Sequence, residues 1–139
     1  MPQPIQYDSA HLDLSARFFS SSTVAASPSA ATETTICTLT LVNDLALVTG
    51  VFLWAQCSFT MGTSGVSATM KIRRTNTSGA TIVTTGATTG VAAALYNPSI
   101  VGIDPNPVPN TTVYVVTLTI GSGAATSTVS AVNLIAIAV

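Results

Sequence analysis

From Thr34 onward, apolar and small polar residues alternate with a period of two, and no other feature of this chain constrains its fold as strongly. In TTICTLTL, Cys37, Leu39 and Leu41 share one face while Thr34, Thr38 and Thr40 share the other, the pattern of a half-buried strand with β-branched residues outward. VFLWAQCSFTM sets Val51, Leu53, Ala55, Cys57 and Phe59 against Phe52, Trp54, Gln56, Ser58 and Thr60, so its second face is also partly apolar. SATMKIRR turns Ala68, Met70 and Ile72 inward and Thr69, Lys71 and Arg73 outward. GTSG at 62–65 and NTSG at 76–79 have turn composition, and the second closes a hairpin into ATIVTT.

Beyond the hairpin come TGATTG, the mixed segment VAAALYNPSIVGI, and DPNPVPN, where Pro105, Pro107 and Pro109 forbid regular ladder pairing. TVYVVTLTI and TSTVSAVNLIAIAV complete the set, joined by the Gly-rich turn GSGAA. Roughly seven or eight strands separated by turn signals, with no sustained helical period, predict an antiparallel all-β sandwich or barrel.

Residues 1–31 read differently: they hold Asp8, His11, Asp13, Arg17 and Phe18-Phe19, followed by the low-complexity run SSSTVAASPSAAT. This is the composition of an extended N-terminal arm and linker, with residues 32–139 as the body. Leu12, Leu14 and Phe18 keep strand parity, whereas Leu12, Ala16 and Phe19 keep helical spacing, so periodicity leaves the arm's local structure open.

At 139 residues the chain suits one domain with a real core. Charged residues make up only 6%, against about 25% in ordinary soluble proteins. A monomer so poor in ionic groups lacks the usual protection against association, so partners are expected to cover much of the surface. A net charge of -1 argues against nucleic-acid binding, the only cationic cluster being Lys71, Arg73 and Arg74. The apolar run AVNLIAIAV is far shorter than the about 20 residues of a membrane-spanning helix. MPQPIQYDSAHLDL shows no secretory signal pattern, and no membrane partner is expected.

Along the last strand Val129, Ala131, Ile135, Ile137 and Val139 fall on one side and Val132, Leu134, Ala136 and Ala138 on the other. Both sides want to be dry, which a monomeric sandwich does not require of its final strand. The expected surface between copies therefore includes Trp54, Leu134, Ala136 and Ala138.

GVFLWAQCSFT, the hairpin ATMKIRRTNTSGATIV and the closing TVYVVTLTI with TVSAVNLIAIAV, in that order, resemble the C1q/TNF-like jelly-roll modules of tailed-phage virion proteins. Those modules include head decoration (cement) proteins and tail or fibre tips. Over residues 31–139 the resemblance implies a two-sheet jelly roll that forms a homotrimer around a threefold axis. Such modules usually end in an acidic residue, where this chain has IAIAV.

Few residues here suggest chemistry. Cys37 and Cys57 have inward parity and are either a disulfide or two buried thiols. With one remote histidine they make no zinc pattern, and no cofactor is expected. His11 beside Asp8 and Asp13 lacks a placed nucleophile, and no paired carboxylates face inward, so no enzymatic activity is expected. Lys71, Arg73 and Arg74 suit either a partner's acidic patch or carbohydrate carboxylate, or a solvated strand face. Tyr96 and Tyr114 read as packing residues with a hydrogen-bonding tip. Asp104 with Asn106 and Asn110 offers too few carboxylates for calcium. Asn76-Thr77-Ser78 and Asn110-Thr111-Thr112 fit the glycosylation pattern, which is short and unsupported by a signal peptide.

The expected role is a trimeric capsid decoration protein in the virion. Its arm would dock on the major capsid protein or another virion protein through Tyr7, Leu12, Leu14, Phe18 and Phe19. The competing expectation is a receptor- or carbohydrate-binding tip module of a phage tail or fibre, using the loops GTSG, NTSG and DPNPVPN.

Overall fold

The computed structural model describes residues 18–22, 27–28, 31–42, 50–108, 111–121 and 127–138, with only the backbone described for 18–22 and for Val42. Among these residues the strands are β1 (Phe18–Ser22), β2 (Glu33–Val42), β3 (Val51–Thr60), β4 (Ser67–Arg74), β5 (Thr81–Thr84), β6 (Thr88–Thr89), β7 (Leu95–Tyr96), β8 (Ser99–Asp104), β9 (Thr111–Ile120) and β10 (Thr128–Ala138). They form two five-stranded sheets, and every pairing is antiparallel. The first sheet runs β1-β10-β3-β7 with β8 also on β3, and the second runs β2-β9-β4-β5 with β6 also on β4. The chain is an all-β, two-sheet jelly-roll sandwich.

Alternation explains the core. Val51, Leu53, Ala55, Cys57 and Phe59 of β3 are buried while the residues between them are half-buried. They face Ala68, Met70 and Ile72 of β4, Tyr114, Val116, Leu118 and Ile120 of β9, and Cys37, Leu39 and Leu41 of β2. Uncharged, β-branched and small side chains pack such a flat interface densely, and each large one contributes about 1.5–3 kcal/mol on burial.

Register shifts alter the expected parity at two places. One lies between Thr35 and Cys37, so Ile36 is an extra, buried residue and Thr34 opposes Leu118 instead of sharing the outer face with Thr38 and Thr40. The other lies between Val129 and Ala131, which puts Val129 opposite Phe59 and inside, at 3% exposure, whereas the sequence placed it with Ile135. An inserted residue inverts every side chain beyond it, and alternation alone does not reveal the insertion.

VAAALYNPSIVGI contributes β7 and β8, both on β3. Ile100 and Asp104 of β8 are buried, while Val101 and Ile103 point out. Gly102 lies on the inner side, where a Cβ would stand 2.7 Å from Val83 Cγ1, so only glycine lets β5 come this close to β8. β1 falls within the 1–31 stretch read as arm and linker, yet its backbone pairs with β10 in the body's own sheet.

Candidate functional site

The outward side of the first sheet carries two adjacent apolar rows. Cross-strand register aligns Ile103, Phe52 and Ile137 in one and Val101, Trp54 and Ile135 in the next. Phe52, Trp54, Ile135 and Ile137 are half-buried, while Val101 is 51% and Ile103 60% exposed. At the level of backbone register, Phe18 of β1 lies opposite Ile137 and Ser20 opposite Ile135. Toward the other end of the strands the face turns polar, with Ser99, Gln56 and Asn133 aligned in the following row.

Leu134, Ala136 and Ala138, expected between copies, point the opposite way: they are 0%, 0% and 2% exposed inside the sandwich. Parity forces this, because the same strand cannot turn them both to the core and to a neighbour. Of that expected set Trp54 alone lies on the outer face, and Ile135 and Ile137 are what β10 presents there. The sequence reading also missed Val101 and Ile103, although the alternation S-I-V-G-I-D carries them. Tyr7, Leu12, Leu14, His11, Asp8, Asp13 and Asn110 lie outside the described residues, and Phe18 and Phe19 are placed by backbone only, opposite Ile137 and Ala136.

The ionic groups among the described residues sit elsewhere. On the outer side of the second sheet, Arg73 Nε and Nη2 donate to Glu33 Oε1 and Oε2 at 2.5 and 2.8 Å, Lys71 Nζ stands 3.2 Å from Oε2, and Thr117 Oγ1 donates to Oε1 at 2.6 Å. The Arg73 hydrogen bonds, helped by Thr117 and Lys71, outweigh burial and hold the Glu33 carboxyl down at about 2.

Between the sheets, the fully buried Asp104 accepts from Arg74 Nε at 2.8 Å and Arg74 Nη2, from Tyr114 Oη at 2.8 Å and from the Asn106 backbone N–H at 3.0 Å. Burial pushes the Asp104 carboxyl up, but Arg74 and the two neutral donors together hold it below its ordinary value. Tyr114 is driven up, by burial first and then by its bond to Asp104. Each of Lys71, Arg73 and Arg74 therefore already holds a carboxylate of its own chain, and the cluster is not a free anion site.

Cys37 and Cys57 form no disulfide and are buried on β2 and β3 in different sheets, and burial pushes the Cys57 thiol up to about 12. Tyr96 stacks on Phe59 with centroids 5.5 Å apart, and its hydroxyl accepts from the Val91 N–H at 2.7 Å. Beside them a cavity of about 120 Å³ is lined by Phe59, Met70 and Leu118 within and by Thr88 and Asn97 at its mouth. Among the described residues no three of His, Cys, Asp and Glu come close enough to hold a metal. No helix among them is long and apolar enough to cross a membrane. Asn76 Oδ1 accepts from the Ser78 N–H at 2.8 Å and tightens the β4–β5 turn.

Two antiparallel sheets packed over an apolar core give a jelly-roll body whose fold is shared with viral capsid and C1q domains. The crystal structure of the T13 particle of infectious bursal disease virus contains a chain that matches with a TM-score of 0.61 at 11% identity, covering 88% of this chain and 31% of that one. A mutant VP2 protein of the same virus, in derived T=1 particles, matches at 0.60 and 10% identity, over 88% and 32%. The globular domain of zebrafish complement 1qA protein matches at 0.51 and 8% identity, over 88% and 97%. This chain thus spans about a third of the length of the viral chains. No protein-family model matches it. No curated protein matches it either.

Proposed function

We propose that this chain is a virion structural protein: a tailed-phage capsid decoration protein whose jelly-roll bodies associate as homotrimers and whose N-terminal residues dock on the shell. The observation that carries this reading is the division of the surface. Five charged side chains, Glu33, Lys71, Arg73, Arg74 and Asp104, lie on the second sheet or between the sheets, leaving the apolar rows of the first sheet free of them. Completing the burial of six half-covered apolar side chains contributes roughly 5–9 kcal/mol per subunit face, before the cost of association. Because β8 forms one edge of that face, a threefold arrangement can cover the strongly exposed Val101 and Ile103 with a neighbour.

β1 begins opposite Ile137, so its first residue, Phe18, lies at the end of the first sheet that carries Val51 and Asp104. Docking through Tyr7, Leu12 and Leu14 would therefore place the shell at the apolar end of the trimer. The fold shared with VP2, seen in icosahedral particles, is in keeping with a structural role. The alternative, a receptor-binding tip, is favoured by Val91 and by Leu95 of β7, each 60% exposed toward the far end. Sugar-binding surfaces, however, usually offer aromatic faces, and none of the exposed large apolar side chains among the described residues is aromatic.

The test removes residues 1–17 and stops before β1, so that the sheet keeps its edge strand. The shortened chain is expected to keep the oligomeric state of the full chain and to lose attachment to emptied capsids of its own virus. Undiminished attachment would overturn the docking role.

A further inference from the structure

Immediately beyond the apolar rows, Ser99 on β8, Gln56 on β3 and Asn133 on β10 align across the sheet. Gln56 is half-buried and the other two are exposed. None of the three side chains hydrogen-bonds another described residue of the subunit. The next polar positions behave differently: Ser58 Oγ donates to Asn97 Oδ1 at 2.6 Å, and Ser130 Oγ donates to the Ser58 carbonyl at 3.2 Å. Among the described residues, one polar layer is thus satisfied within the subunit, and the layer bordering the apolar rows makes no side-chain hydrogen bond.

We infer that the Ser99–Gln56–Asn133 row is the register and copy-number determinant of the self-assembly interface, its partners being the same row of neighbouring copies. This rests on the homotrimer reading given above. The two apolar rows alone specify register poorly. Ile103-Phe52-Ile137 and Val101-Trp54-Ile135 are chemically alike, so a neighbour can slide by two residues, about 7 Å along the strands, and still meet apolar groups. A slide of that size sets the Gln56 carboxamide against Trp54 or Ile135 of a neighbour, leaving its oxygen and two N–H donors unpaired in a dry contact. In register, three carboxamides meet around the axis, and each donates to the next. A single polar layer among apolar ones fixes register and oligomer number in the same way in coiled coils.

Sedimentation equilibrium on the full chain over a dilution series, with circular dichroism to verify folding, tests this in two variants. Gln56→Leu combined with Asn133→Val is expected to bind itself at least tenfold more tightly while giving a mixture of masses in place of one species. Gln56→Glu, which changes little in size, is expected to assemble near pH 4 and dissociate near pH 8 as three carboxylates ionise together. Unchanged masses and dilution behaviour in the first variant, or no pH dependence in the second, would show a merely solvated row. If the wild type itself sediments as single chains, the trimer reading fails along with this one. A wild-type trimer with indifferent variants overturns only the role of the row.

Discussion

Replacing Arg74 by methionine removes the cation from a carboxylate with no solvent exposure, and the consequence follows from the geometry. Asp104 keeps the Tyr114 hydroxyl at 2.8 Å and the Asn106 N–H at 3.0 Å but loses both guanidinium bonds. Breaking a buried pair by deleting one partner costs about 3–5 kcal/mol, a large fraction of a typical stability of about 5–15 kcal/mol. With a urea dependence of about 1–3 kcal/mol per molar, the unfolding midpoint drops by roughly 2 M.

The pH dependence changes sign as well. In the wild type the folded Asp104 pKa lies below its unfolded value of about 3.9, so its contribution is present above that value and is lost as pH falls through the folded pKa. In Arg74→Met burial becomes the dominant influence and the folded pKa rises above the unfolded one. The folded state then holds the extra proton, and stability falls as pH rises. Urea titrations at fixed protein concentration, at pH 5 and pH 7, are expected to show the variant's deficit shrinking at the lower pH. A deficit below about 1 kcal/mol, the scale of a surface pair, or one that grows on acidification, would refute the reasoning.

Gly102→Ala drives a methyl to within 2.7 Å of Val83 Cγ1 and is expected to cost about 1–3 kcal/mol by the same titration, without changing the oligomer. At 1% exposure and with its thiol pushed up to about 12, Cys57 is expected to resist a thiol-labelling reagent at pH 8 until the chain is unfolded; rapid labelling of the native protein would contradict the packing. Ile135→Lys places one ammonium per subunit in the middle apolar row and is expected to leave a folded single chain in sedimentation, whereas Thr38→Lys on the other sheet leaves assembly intact.

Alternation in 51–61 and 67–74 was enough to name the inner faces of β3 and β4 residue by residue, because the side-chain period is fixed by the backbone. It failed where one residue is inserted, at Ile36 and near Ser130, since an insertion is decided by the partner strand and leaves no mark in composition. β8 was hard to read because its inner positions are Ile100, Gly102 and Asp104. A glycine admitted for Val83 and a carboxylate admitted for Arg74 hide the apolar period. Of the apolar outer face, Trp54 was legible and Ile135 was not. Assigning Leu134, Ala136 and Ala138 to it was not sustained, since their burial depends on which side β4 and β9 cover. The pairing of Glu33 with Lys71 and Arg73 joins residues 38 and 40 apart, and only strand order brings them together.

The full chain's mass by sedimentation equilibrium at micromolar concentration, in buffer near neutral pH, bears most directly on the idea that the bare apolar rows of the first sheet are covered by copies of the same chain. A single species of three times the 14.1 kDa subunit mass is the expected result. A species of one subunit mass across the whole concentration range, with Trp54 fluorescing as a solvated indole, would contradict it.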